Sequence, residues 1–178
     1  MAACAAALRE LFEETGILPA ASVGPDREAI EKTRQGLLGG HNLFSTFAEQ
    51  MGWNFSGIPI AYFARWITPR TVAIRFDTRF FLLLIEDGDP TSVSLTEEHV
   101  SSIWIPPERA LYKFSTGELP LLFPTQTTLE RLVGFRSQEE AFHSLRGKKV
   151  EPTLPKIDLH RNPERPLMPD DEGYEEAF

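Results

Sequence analysis

Arg9-Glu10-Leu11-Phe12-Glu13-Glu14-Thr15-Gly16-Ile17 is the stretch around which the rest of the chain is organised. At about 100° per residue, Leu8, Leu11 and Phe12 fall on one side of a helix, and Glu10, Glu13 and Glu14 fall on the other. One side can pack while the other gathers three carboxylates. Glu10 precedes Glu13 and Glu14 by one helical turn, and each like-charged pair costs an isolated helix about 0.2–0.5 kcal/mol. A hard divalent cation reverses that sign, because Mg²⁺ takes one or two carboxylates and fills its remaining positions with water and substrate phosphate oxygens. Ala3 and Ala7 lie toward the acidic side and leave room for a bulky ligand. Gly16 suits the position just past the helix end, where a left-handed residue is often needed. The competing reading is a solvated acidic face on which Arg9 pairs with Glu13 or Glu14.

The chain has 178 residues with an apolar share of 42%, enough for one domain with a core and too short for two large ones. Its 18 basic and 26 acidic residues give a formal charge of −8, which argues against a nucleic-acid backbone as the main partner. The single cysteine, Cys4, excludes an internal disulfide, suits small buried packing and fits a reducing compartment. No apolar run approaches the ~20 residues of a membrane span. The alanine-rich start lacks a basic leader, and Glu176-Ala177-Phe178 is not a peroxisomal address. The expectation is a cytoplasmic protein without membrane or nucleic-acid partners.

The order of residues from Arg9 to Ile17 matches Arg-Glu-U-X-Glu-Glu-X-Gly-U, with U aliphatic, the second half of the nudix box. The stretch resembles the nudix hydrolases, which cleave a diphosphate linked to another moiety using Mg²⁺ or Mn²⁺. Eight positions before Arg9, where that family carries Glu, stands Met1. The chain reads either as a fragment or as a member departing from the pattern. The resemblance implies an α/β fold, a nudix-type α/β/α sandwich with a mixed sheet, truncated at its N-terminus. Residues 1–145 would form that domain, with a helical insertion at about 25–52, and residues 146–178 a tail.

Within the insertion, Pro25 to Gln35 is charged and helix-compatible until Gly36, Gly39 and Gly40 break the pattern. Asn42 to Met51 spaces Phe44, Phe47 and Met51 for a second helix. His41 reads as a surface loop residue. From Ile58 to Trp66 the residues suit a pleated surface. After Thr68-Pro69, Arg75 to Ile85 begins polar and ends as a continuous apolar run, which fits a strand entering a buried sheet. Gly88-Asp89-Pro90 marks a turn.

Trp66-Ile67-Thr68-Pro69 and Arg75-Phe76-Asp77-Thr78-Arg79-Phe80-Phe81-Leu82 resemble the nudix branch of coenzyme A diphosphatases. That likeness implies cleavage of coenzyme A or acyl-coenzyme A to a phosphopantetheine and adenosine 3′,5′-bisphosphate. On an extended strand Arg75, Asp77 and Arg79 share one face. They either orient a multiply phosphorylated ligand or form a structural Arg-Asp-Arg network.

Thr96-Glu97-Glu98-His99 precedes Ile103 to Leu111, which looks like the strand and helix of the family's Trp-Val-Pro type segment. In the family that connection often supplies a base, which points to Glu98 first and Glu97 second. Adjacent His99 has a pKa range that suits proton transfer. Leu119 to Leu132 reads as an extended piece and a helix capped by Thr125 or Thr127, with Leu129, Leu132 and Val133 inward. Ser137 to Ala141 carries a capping box, and His143 on that helix reads as a surface residue. Beyond Arg146, prolines and then acids form a tail, including His160, that must lie across the domain or stay mobile.

Together these readings give metal-assisted hydrolysis. Glu10 and Glu14 bind Mg²⁺ or Mn²⁺, Glu13 supports or shares a second ion, Arg9 orients the carboxylates, Glu98 takes the proton of water, and Arg75 and Arg79 meet phosphate. The partner is a small nucleoside diphosphate compound of the coenzyme A type, and a homodimer is kept open. The alternatives are a nudix-like domain that binds a nucleotide or a protein without hydrolysis, and a hydrolase of NADH or nucleotide sugars.

Overall fold

The alanine-rich opening favours helix, and no glycine or proline interrupts it before Gly16. In the computed structural model, which describes residues 2–17, 27–39, 44–50, 57–85, 101–157 and 166–177, it forms α1 (Ala2–Thr15). Then follow α2 (Arg27–Leu38), α3 (Phe44–Gln50), β1 (Ile60–Ile67), β2 (Asp77–Leu83), α4 (Pro107–Ser115), α5 (Phe123–Glu130) and α6 (Gln138–Leu145). Strands β1 and β2 form a two-stranded sheet. The Thr68 N–H donates to the Phe76 carbonyl and the Leu84 N–H to the Pro59 carbonyl, both at 3.0 Å, so the pair is antiparallel. Thr153 adds an isolated parallel bridge to Trp66, accepting from the Ile67 N–H and donating to the Arg65 carbonyl at 2.8 Å each. Among the described residues the sheet is therefore this antiparallel pair with one parallel bridge, in an α/β chain.

The chain divides into two compact units, Met1–Ile60 with Leu83–Trp104, and Ala61–Leu82 with Ile105–Phe178. In the first, Leu8 and Phe12 of α1 cluster with Leu37 of α2 and with Phe44 and Phe47 of α3. The Phe12 ring stacks on Phe47 at 5.7 Å and 4°, and lies 6.4 Å from Phe44. Helix α2 does not stop at Gly36 as expected but runs to Leu38, where the Gly39 N–H still reaches the Gln35 carbonyl at 3.0 Å. A helical glycine costs about 1 kcal/mol relative to alanine, and burial of Leu37 on the same turn offsets it.

In the second unit, Phe63, Ala64 and Trp66 of β1 are buried among Phe80, Leu82, Phe123, Leu132, Leu145 and Met168. The Trp66 indole N–H donates to the Thr128 hydroxyl at 3.0 Å, and its ring meets Phe123 edge-on at 5.8 Å. Helix α5 begins earlier than the expected threonine caps. Its cap is Leu122, and Pro124 in the first turn supplies a preset φ where no N–H is needed. Thr125 and Thr127 lie inside the helix, and Val133 is exposed rather than inward. Of the expected capping box the Ser137 half is formed, its hydroxyl accepting from the Glu140 N–H at 3.2 Å, while the Glu140 carboxylate accepts not from the Ser137 N–H but from that of Arg136, one residue earlier, at 2.8 Å. Residues 103–105, expected as a strand, are in none, and Ile103 and Trp104 are 62% and 61% exposed.

The segment after Arg146 is tied down where it is described. Thr153 and Pro155 are buried, Lys156 pairs with Leu167 as an antiparallel bridge, and Tyr174 donates its hydroxyl to the Leu154 carbonyl at 2.6 Å.

Candidate functional site

Burial of Leu8 and Phe12 fixes the rotation of α1 and leaves Glu10 and Glu14 exposed, with Glu13 partly buried. The Glu10 side chain is 53% exposed and that of Glu13 15%, and Arg9 lies between them. The Arg9 guanidinium donates through Nη1 to Glu13 Oε1 at 2.7 Å and through Nη2 to Glu10 Oε1. The cation thus bridges Glu10 and Glu13, where the sequence suggested Glu13 or Glu14. Glu14 is exposed one turn beyond Glu10.

The C-terminal end of α1 is closed by several groups. Gly16 adopts φ 75° and its N–H donates to the Phe12 carbonyl at 2.9 Å, as a left-handed cap requires. The Thr15 hydroxyl donates to the Leu11 carbonyl at 2.6 Å and accepts from the Ile17 N–H at 3.1 Å. Arg34 of α2, only 3% exposed, donates from Nε to the carbonyls of Phe12 (3.2 Å) and Glu13 (3.1 Å) and from Nη2 to that of Glu14 (3.2 Å). The last carbonyls of a helix carry partial negative charge and lack intrahelical donors, so a buried guanidinium there meets both needs. Arg34 was missed in the sequence, though Ile30, Arg34 and Leu37 share one helical stripe, a signal that this arginine faces inward.

The carboxylates suit a hard cation by their chemistry, since oxygen donors with room for water are what Mg²⁺ and Mn²⁺ take. Among the described residues, no group of three or more His, Cys, Asp or Glu side chains is arranged to hold an ion. By chemistry alone, one or two of these glutamates could hold such an ion with water and ligand oxygens completing its shell, while Glu10 and Glu13 are paired with Arg9.

The polar entrance of β2 is built differently from the sequence expectation. Asp77 is gripped by Arg65 of β1, whose Nε and Nη2 donate at 2.7 and 2.6 Å, while Arg79 approaches at 3.4 Å. The hydrogen bonds from Arg65 hold the Asp77 carboxyl below its usual range, with the charges of Arg65 and Arg79 adding to the effect. The same pairing raises Arg65. Arg75 donates instead to the Thr68 carbonyl at 3.0 Å and lies outside this network. Arg65, one basic residue within an apolar strand, was the overlooked partner.

Glu97, Glu98, His99, His41 and His160 lie outside the described residues. His143 is exposed on α6, its ring 5.6 Å from that of Phe142. No described helix is long and apolar enough to cross a membrane.

No protein-family model matches the chain. No curated protein matches it in sequence. Among solved structures it is similar to a crystal structure of a NUDIX hydrolase from Alicyclobacillus acidocaldarius, with a TM-score of 0.63 and 27% identity, over 80% of this chain and 65% of that chain. The likeness supports the nudix superfamily, and the mixed helix and sheet architecture is that of a nudix-type α/β fold.

Proposed function

We propose that this chain hydrolyses a diphosphate that links a nucleoside to a second moiety, with coenzyme A or acyl-coenzyme A as the preferred substrate. The observation that carries the reading is the outward acidic side of α1, where Arg9 bridges Glu10 and Glu13 while Leu8 and Phe12 are buried opposite. The similarity to a NUDIX hydrolase supports hydrolysis of this general kind.

In this reading Glu10 and Glu14 hold Mg²⁺ or Mn²⁺, and Glu13 supports or shares a second ion. When bound, such an ion supplies neutralisation of diphosphate oxygens and a lowered pKa for a water. Arg9 keeps two of the carboxylates in fixed rotamers through charge-assisted hydrogen bonds, which limits reorganisation when substrate arrives. Glu98 accepts the proton of the attacking water. Arg75 and Arg79 contact substrate phosphates, with Asp77 setting the orientation of Arg79. The preference for coenzyme A rests on the resemblance of the 66–82 stretch to that branch. The active domain is residues 1–145 in a cytoplasmic setting, and a homodimer is compatible with it.

The test is a turnover panel with Mn²⁺ and coenzyme A, acyl-coenzyme A, NADH and nucleotide sugars. Faster turnover of coenzyme A or acyl-coenzyme A, read as adenosine 3′,5′-bisphosphate with an equal amount of the phosphopantetheine, than of the other substrates supports the proposal, and a preference for NADH or a nucleotide sugar shifts the substrate. Engagement of Glu10 and Glu13 by Arg9 also favours a second reading, a domain that binds a nucleotide or protein without cleaving it. Tight binding by calorimetry with no product would select that reading.

A further inference from the structure

A charged group taken out of water is kept there only where its hydrogen bonds are made, and Arg34 is almost fully buried at the end of α1. It donates to three consecutive backbone carbonyls, those of Phe12, Glu13 and Glu14. Two of those carbonyls belong to residues whose side chains make up the acidic face. The bonds converge from Nε and Nη2 of one planar group, so they fix the last turn of α1 both along its axis and in rotation. An ammonium on a flexible stem lacks that fork and cannot span the same three acceptors with the same geometry.

Space around the clamp is close. A Cβ placed on Gly16 would meet Arg34 Nη1 at 3.5 Å and Cζ at 3.6 Å, ordinary contact distances, so the guanidinium lies against the turn that ends the helix. The residue comes from α2, a helix outside the acidic stretch.

We propose that Arg34 is a positioning residue for the ion site of α1: by holding the Glu13 and Glu14 backbone it sets where their carboxylates meet a divalent cation. This rests on the metal-hydrolase reading above. It adds that α2 is part of the ion site, acting through the carbonyls of α1 rather than by touching ion or substrate. Groups that orient a ligand shell typically change metal affinity by about 10–100-fold when removed.

The experiment titrates the full chain with Mn²⁺ and follows free Mn²⁺ by electron paramagnetic resonance, for the wild type, Arg34→Lys, Arg34→Met and Thr15→Val. Thr15→Val removes the bond to the Leu11 carbonyl at the same helix end and serves as the control for general loosening. Thermal unfolding is measured on each. The proposal expects Mn²⁺ binding weakened about tenfold or more in Arg34→Met, partly restored in Arg34→Lys, and nearly unchanged in Thr15→Val. If Arg34→Met does not fold, Arg34→Lys decides by showing weakened binding while folded. Wild-type affinity in a folded Arg34→Met, or in a folded Arg34→Lys where Arg34→Met does not fold, or an equal loss in Thr15→Val, overturns the positioning role and leaves the ion site standing. A wild type that takes up no Mn²⁺ overturns both.

Discussion

Replacing Phe12 with alanine removes the side chain that anchors α1. The ring is 0% exposed, stacks on Phe47 at 5.7 Å and sits 6.4 Å from Phe44, so the cavity would be walled by two other rings that have little reason to collapse. Truncations of buried phenylalanine cost about 3–5 kcal/mol, and an aromatic pair contributes roughly 0.5–1.5 kcal/mol beyond area. The upper half of the range, about 4 kcal/mol, applies here. Domains hold only about 5–15 kcal/mol in total, so the change removes a large share of the stability. With a urea slope of about 2 kcal/mol per molar, the midpoint of the helix signal falls by about 2 M. Urea titration followed by circular dichroism reads this directly. A midpoint within about 0.3 M of wild type would refute the claim that this ring fixes the rotation of α1.

Glu14→Gln keeps shape and removes charge; since loss of supporting groups alone costs about 10–100-fold, turnover with Mn²⁺ should fall further than that while the unfolding midpoint holds. Unchanged turnover at saturating Mn²⁺ would count against Glu14 as a ligand. Trp66→Phe leaves the buried Thr128 hydroxyl without the indole donor and should cost about 1–3 kcal/mol, measured by urea unfolding; a loss under about 0.5 kcal/mol would mean that this bond contributes little. Asp77 is held below its ordinary value of 3.8 by Arg65, so its ionised form favours the folded state. That contribution is complete above the ordinary value and disappears as pH falls through the lowered one. The stability gap between wild type and Asp77→Asn should therefore close under acid, and a gap indifferent to pH would contradict the pairing.

The helical character of α1 and the inward side of Leu8 and Phe12 were legible because one amphipathic period and one terminal glycine carry that information locally. The Ser137 cap was legible for the same reason, since its hydroxyl and the Glu140 N–H are three residues apart, whereas the return bond from Glu140 goes to the Arg136 N–H. The partners of the charged groups were harder. Asp77 lies two residues from both Arg75 and Arg79, yet its main partner is Arg65 on the adjacent strand, a choice made by strand pairing and invisible in sequence spacing. The start of α5 departs from the threonine-cap expectation because Pro124, with its preset φ, stands in the first turn and Leu122 is the cap. Arg34 escaped notice because a charged helix reads as solvated until the apolar stripe through Ile30 and Leu37 is traced.

Diffraction at the manganese edge from crystals of the full chain soaked in Mn²⁺ tests the central claim most directly. The account predicts an anomalous peak at bonding distance from a carboxylate oxygen of Glu10 or Glu14, a separation of about 2.0–2.1 Å for the analogous Mg²⁺. A peak elsewhere, or none beside α1 while the acids remain paired to Arg9, would contradict it.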